Sequence, residues 1–221
     1  MPKPPWRPPA MPKAALAKRR PRLADLPARP ILGLLALTPT RGERCSIALR
    51  PAGDGRVIVE AGSGAIVAAL EVEGELTRPL ALPRAALATL RRRHPSAERL
   101  AVDGPSPEGA GLLRLSALDQ SSAATVLSPE ATLTDGLGDL LTAPPLQRLG
   151  EARGAMLDPL LIAMAVEAMR RVCPGPVEVS LSAHELLGML VRGRPTDGDP
   201  GGVVAATVAV VRLLAVKGAR P

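Results

Sequence analysis

"LPRAALATLRRRHPSAERLAVDG", residues 82–104, reads as one compact helix-then-strand unit. Pro83 opens a short helix, because its fixed φ suits the first helical position and its missing N–H would have no partner there. Arg91, Arg92, Arg93 and His94 end that helix, and Pro95 stops it. "RLAVD" (99–103) then reads as a strand. At about 100° per residue, Pro83, Ala86, Leu87 and Leu90 share the side that packs on a sheet. Arg92 points nearly opposite, with Arg91 and Arg93 on the flanks. Two meanings are open for the cluster. It is either a surface for an acidic partner or the ordinary basic end of a helix, where cations offset the macrodipole by roughly 0.3–1 kcal/mol without any ligand.

The same order recurs along the chain. After the helix at 83 come strand candidates 99–103, 111–117 and 123–127. A second helix begins at Pro159, 76 residues later (159 minus 83), with Asp158 as its N-cap. Pro174 stops it, and strands at 177–181, 186–191 and 203–214 follow. A weaker version occupies 31–73: a short apolar, helical segment at 31–38, then strands at 45–50, 56–60 and 65–73. "PAGDG" (51–55) joins the first two as a hairpin, since Gly53 and Gly55 accept positive φ. Cys45, Ile47 and Leu49 alternate with polar or small residues, as on a half-buried strand. Internal repetition at this scale constrains the fold more than any single motif. It predicts an α+β fold of repeated helix plus three-strand units, forming curved antiparallel sheets with the helices on one face.

In the second helix Ala163, Glu167, Arg170 and Arg171 form a narrow polar strip, with Leu161, Ala165, Met169 and Val172 opposite. Glu167 stands three and four residues before the two arginines and pairs with them, which argues for the structural reading. His94 belongs to the cap of its helix, and His184 lies in a loop with no second histidine or cysteine beside it.

Composition narrows the function classes. The core lacks Phe and Tyr, and Trp6 is the only aromatic residue, so Leu, Val, Ala, Ile and Met must fill it. Heavy use of Arg and Ala with few lysines reads as compositional bias, so arginine counts alone carry no function. Charge location does. Residues 1–30 hold eight bases against Asp25, a net +7, while the rest balances twenty bases (28 − 8) against twenty acids (21 − 1). Those thirty residues also carry nine prolines. They are expected to be a disordered basic arm, with Lys18, Arg19 and Arg20 as its densest cluster. Residues 31–150 then hold units one and two with a loose connection (128–157), and residues 151–221 hold unit three.

Cys45 and Cys173 match no metal spacing and are expected to be reduced and buried. "ILGLLAL" (31–37) is far too short to span a bilayer. With no signal peptide visible, a cytoplasmic location without membrane attachment is the expectation. No phosphate-loop, nucleophile-elbow, HExxH or CxxC pattern occurs. "GSG" (62–64) is a turn, and Asp119, Asp135 and Asp139 are loop residues. Nothing assembles a nucleophile, a base and an orienting group. The chain is expected to be no enzyme and to need no cofactor or metal.

The order of these pieces resembles the bacterial sliding clamp, the beta subunit of DNA polymerase III. "IALRPAGDGRVIVEAGSGAIVAALEVEG" (47–74) is similar to the clamp's hairpin and following strand, and "LALPRAALATLRRR" (80–93) to the helix after it. "MLDPLLIAMAVEAMRR" (156–171) looks like a final-domain helix and "VAATVAVVRLLAV" (204–216) like the closing strand. The resemblance implies helices that present Arg91, Arg92, Arg93, Arg170 and Arg171 to DNA phosphates without reading sequence. It also implies a homo-oligomer and polymerase or clamp-associated partners. Two departures stand out. Gly62–Ser63–Gly64–Ala65 replaces the clamp's Asp-Gly-His-Arg, and Val210–Val211–Arg212–Leu213 replaces its Met-Pro-Met-Arg ending, which helps form the partner-peptide pocket. About three units stand where a bacterial clamp has six, so a complete ring would take about four chains. The alternative function is a protein–protein interaction module with a passive basic tail.

Overall fold

Pro83 ends a short strand and stands just outside the helix, which begins one residue later than the sequence pattern places it. In the computed structural model, which describes residues 20–38, 46–63, 65–105, 113–118, 125–127, 141, 158–181, 187–195 and 201–211, helix α2 is Arg84–Arg93 with Pro83 as its N-cap at φ −59°. Pro83 is also the last residue of β6 (Leu80–Pro83). The strands β7 (Arg99–Asp103), β8 (Leu113–Ala117) and β9 (Thr125–Leu127) complete this unit.

Unit one has the same plan: β1 (Arg22–Pro27), α1 (Ala28–Gly33) running into a 3-10 turn (Leu34–Ala36), then β2 (Ser46–Gly53), β3 (Arg56–Gly62) and β4 (Ile66–Glu73). A two-residue strand β5 (Glu75–Leu76) leads to unit two. Unit three is α3 (Pro159–Val172), β10 (Val177–Leu181), β11 (Leu187–Gly193) and β12 (Val203–Val211). Asp158 caps α3 as expected, its carboxylate accepting the Leu160 N–H at 2.8 Å. The β2–β3 hairpin turns at Asp54–Gly55, both at positive φ (50° and 70°), and Gly53 (87°) marks the register shift beside it. Of the 62–64 turn, Gly62 and Ser63 are described: the Ser63 N–H donates to the Ile66 carbonyl at 2.7 Å.

The arm expected over residues 1–30 is corrected at its C-terminal end, because Arg22–Pro27 is a core strand. Its apolar residues decide this. Ala24 and Leu26 are fully buried, while Arg22 pairs with Asp103 and Arg99 with Asp25, each at 2.6 Å. The nearby prolines fit: Pro27 ends the strand, and Pro30 lies in the first turn of α1, where a missing N–H costs no bond. Residues 1–19, including Lys18 and Arg19, lie outside the described residues, as do Cys45, Asp119, Asp135, Asp139 and His184. The connection at 128–157 is also outside them except for Leu141.

All strand pairings among the described residues are antiparallel. They build a five-stranded sheet in the order β5-β1-β7-β8-β9 and a seven-stranded sheet in the order β10-β11-β12-β4-β3-β2-β6. Units one and two exchange their leading strands: β1 lies beside β7 with Leu26 opposite Leu100, and β6 lies beside β2 with Leu82 opposite Ile47. Unit three joins through its last strand, β12 against β4. A main apolar core packs the sheets against the three helices, and a smaller cluster of Ala69, Leu190 and Ala209 is separate from it. As the helix periodicity predicts, Ala86, Leu87 and Leu90 of α2 are buried, and so are Ala165, Met169 and Val172 of α3. Cys173 is a free, buried thiol at the end of α3.

Gly193 sets the distance between α3 and its sheet. A Cβ at this position would lie 2.8 Å from both the Cys173 Cβ and the Met169 sulfur. Gly193→Ala is therefore expected to destabilise the fold by about 2 kcal/mol through overpacking. A urea titration with an unchanged midpoint would show that β11 and α3 sit farther apart than this. Among the described residues, no helix is long and apolar enough to cross a membrane.

Candidate functional site

The ends of α2 and α3 converge on shared cavities across α1. Gly33 closes α1 against the C-terminal turn of α3, and a Cβ there would lie 3.0 Å from Val172 Cγ2 and 3.4 Å from the Arg171 carbonyl carbon. That close approach sets Arg171 beside Arg91 of α2. Two adjoining cavities open on either side of this pair, and both are lined by Arg91, Pro95 and Arg171. The first, about 420 Å³, adds Arg29, Gly33, Ser96 and Glu98. The second, about 610 Å³, adds Arg84, Ala88, Arg92 and the 3-10 turn residues Leu35 and Ala36. Together they form a groove with Arg29 at one end, Arg91 and Arg171 at the saddle, and Arg84 and Arg92 at the other end.

The helix end that supplies Arg91 and Arg92 is firmly made. His94 is its C-cap, donating its N–H to the Leu90 carbonyl at 2.8 Å, and its side chain is buried. The Ala97 N–H then bonds the His94 carbonyl at 3.2 Å, turning the chain toward β7. Thr89 donates to the Ala85 carbonyl at 2.9 Å and accepts a long bond from Arg92 at 3.4 Å. The C-terminal position satisfies the macrodipole argument, but that argument asks for no cavity.

Paired and unpaired arginines both occur elsewhere on the surface: Arg22 pairs with Asp103, Arg99 with Asp25, Arg56 with Glu71 and Arg194 with Glu178, all within 2.9 Å, so what sets the groove apart is the convergence of its arginines. Among the described residues Arg29, Arg84, Arg91, Arg92 and Arg93 form no ion pair. Arg171 does, with Glu167 at 3.0 Å across one helical turn, as the spacing predicts for that arginine. Both partners of that pair are about half exposed, so it is weak and its guanidinium can still turn to a second anion.

Of the residues the sequence singles out, the structure brings together Arg91, Arg92 and Arg171. Arg93 and Arg170 are exposed but line neither cavity, and Arg20 is half-buried ahead of β1. Arg29 and Arg84 were missed. Their signal is a repeat: "LPAR" (26–29) and "LPRA" (82–85) each end a leading strand and start a helix with an arginine in its first turn. Chemically the groove can bind anions through planar, permanently charged guanidinium groups suited to phosphate oxygens. Among the described residues, no group of three or more His, Cys, Asp or Glu could hold a metal ion.

No protein-family model matches this sequence. No curated protein matches it either. Solved structures do resemble it. The chain is similar to the C. crescentus beta sliding clamp (TM-score 0.52, 11% identity, covering 89% of this chain and 66% of that one). It is also similar to a protein from Eubacterium rectale described as a DNA polymerase III beta subunit (TM-score 0.53, 8% identity, covering 88% and 65%). The chain thus spans just under two thirds of the length of each. Identity this low speaks for the fold alone, and on that ground the protein has a sliding-clamp-like fold.

Proposed function

We propose that this protein is a non-enzymatic, clamp-like scaffold that holds DNA through its phosphates, independently of sequence, as a replication or processivity accessory factor in the cytoplasm. One observation carries the reading: arginines from three helices converge on one groove, and four of the five lining it have no carboxylate partner among the described residues. Several guanidinium groups gathered on one groove with little carboxylate compensation favour an anion from outside. The groove has few groups that could read bases, so its contacts would position DNA rather than select it. The basic arm adds non-specific attraction, and polymerase or clamp-associated proteins are the partners this role requires.

The test is a salt titration of binding to two unrelated duplexes. Equal affinities are expected, with log K falling linearly in log salt by about 0.9 for each phosphate engaged. No binding at low salt, or affinity that ignores salt, would overturn the proposal.

A second reading, an interaction module for a protein partner, has its own support. Leu160 and Met164 lie one turn apart on α3 and are 65% and 40% exposed. Apolar residues at that spacing suit a protein surface better than a phosphate backbone. A pull-down recovering the same proteins with and without nuclease would favour this reading.

A further inference from the structure

The outward face of α3 is sorted along its length. Its exposed side chains recur at helical spacing: Leu160, Ala163, Met164, Glu167, Arg170 and Arg171. The first two turns are apolar and the last is cationic. An outward helix face is ordinarily polar throughout, and the macrodipole favours acids in a first turn. The first turn of α3 carries none, and its capping Asp158 already accepts the Leu160 N–H. Of the four large apolar side chains exposed among the described residues, Leu160 and Met164 are two, one turn apart with no charge between them. α2, which supplies Arg91 and Arg92, exposes Ala85 but no large apolar side chain.

The cationic end of this face runs into the groove. Arg171 stands at the saddle with Arg91, and the wall of the larger cavity mixes these arginines with Leu35, Ala36 and Ala88. Leu160 and Arg171 are eleven residues apart (171 minus 160), which is about 16 Å of helix. An extended peptide of about five residues covers that length.

We propose that this face docks an acidic amphipathic segment of another protein, with apolar side chains on Leu160 and Met164 and carboxylates on Arg171 and Arg91. The chemistry of the face selects this occupant. A nucleic-acid backbone is charged at every step and would leave the apolar turns against solvated phosphates. The chain's own first twenty residues carry Lys18, Arg19 and Arg20, which the groove repels. A flat anionic bilayer cannot follow a concave groove. The proposal rests on the protein-partner reading and supplies that partner's chemistry. It has a regulatory consequence: Arg91 and Arg171 are shared, so the acidic partner and DNA exclude one another.

Fluorescence anisotropy on the full chain tests it, with a labelled duplex and short labelled peptides that place two leucines beside a block of glutamates, made in both orders. One order is expected to bind at low salt, and to weaken at least about tenfold when its leucines are replaced by serine, because two apolar contacts are lost. Leu160→Ser with Met164→Ser is expected to weaken the peptide by a similar factor and to leave the duplex unaffected. Both side chains are exposed, so the urea midpoint should stay near wild type. Arg91→Gln with Arg171→Gln should weaken the peptide as well, and unlabelled peptide should displace bound duplex. A duplex that fails to bind while the peptides behave this way overturns the DNA reading alone. The docking proposal is overturned if neither peptide binds at low salt, or if the serine peptides bind as tightly as the leucine ones. Loss of duplex as large as loss of peptide in the Leu160→Ser, Met164→Ser chain would also overturn it.

Discussion

Replacing Arg91, Arg92 and Arg171 together with glutamine is expected to reduce DNA affinity by about 500-fold at 0.1 M salt. The size follows from counterion release. Each phosphate neutralised contributes about 0.9 to the slope of log K against log salt. Three lost contacts lower the slope by about 2.7, equivalent to about 2.7 decades of affinity at 0.1 M relative to 1 M. Glutamine keeps most of the side-chain length, so a loss of this size would come from charge. Two comparisons make the result specific to the groove. Arg93→Gln with Arg170→Gln removes two exposed charges that line neither cavity and should change the slope by less than about 1. Arg56→Gln, on a strand and already paired with Glu71 at 2.9 Å, should change it hardly at all. If all three sets fell equally, the interaction would be with net charge and not with this site. If the triple variant bound normally, the groove would not be the DNA surface, and the N-terminal arm would be the next place to look.

The repeated helix–strand order was legible in the sequence because apolar periodicity and proline mark it at each recurrence. Leu87 and Leu90 in α2, and Met169 and Val172 in α3, follow a helical period that is visible without coordinates. The hairpin at Asp54–Gly55 carries its own chemistry, since only residues tolerant of positive φ fit there. The leading strands were harder to see. β6 is four residues long and β1 six, and each ends in a proline that also reads as the start of a helix. Charge density then hid β1 inside a basic, proline-rich stretch, although Ala24 and Leu26 alternate as a strand requires. The partners that balance its charges, Asp103 and Arg99, lie more than seventy residues away. Pairing over that distance cannot be inferred from local composition.

The groove was half legible for the same reason. Arg91, Arg92 and Arg171 announce themselves as clusters at helix ends. Arg29 and Arg84 are single residues in first turns, where a cation gains nothing from the helix dipole. Their position acquires a meaning only when the exchange of leading strands brings the start of α1 and the end of α2 to a common cavity. Local rules account for the arginines at the helix ends, and tertiary structure accounts for Arg29 and Arg84.

Leu26→Ala separates these two accounts of the N-terminal stretch more sharply than any charge substitution. If residues 22–27 belonged to a solvated tail, truncating one leucine would leave stability within about 0.5 kcal/mol. In the fold, Leu26 is fully buried, opposite Leu100 in β7, and its methyl groups also crowd Gly74, where a Cβ would come within 2.9 Å of Leu26 Cδ2. Removing three carbons from such a site costs the transfer free energy and leaves a cavity that the surrounding strands cannot close, together about 3 kcal/mol. Leu82→Ala, at the equivalent place in β6 against Ile47, is expected to cost a similar amount. The two strands are reciprocal halves of one exchange, so the double variant should lose both contributions and approach the whole stability of a chain this size. Urea denaturation of the full chain reads all three. A Leu26→Ala midpoint equal to wild type would detach β1 from the core, and with it Arg29 from the groove.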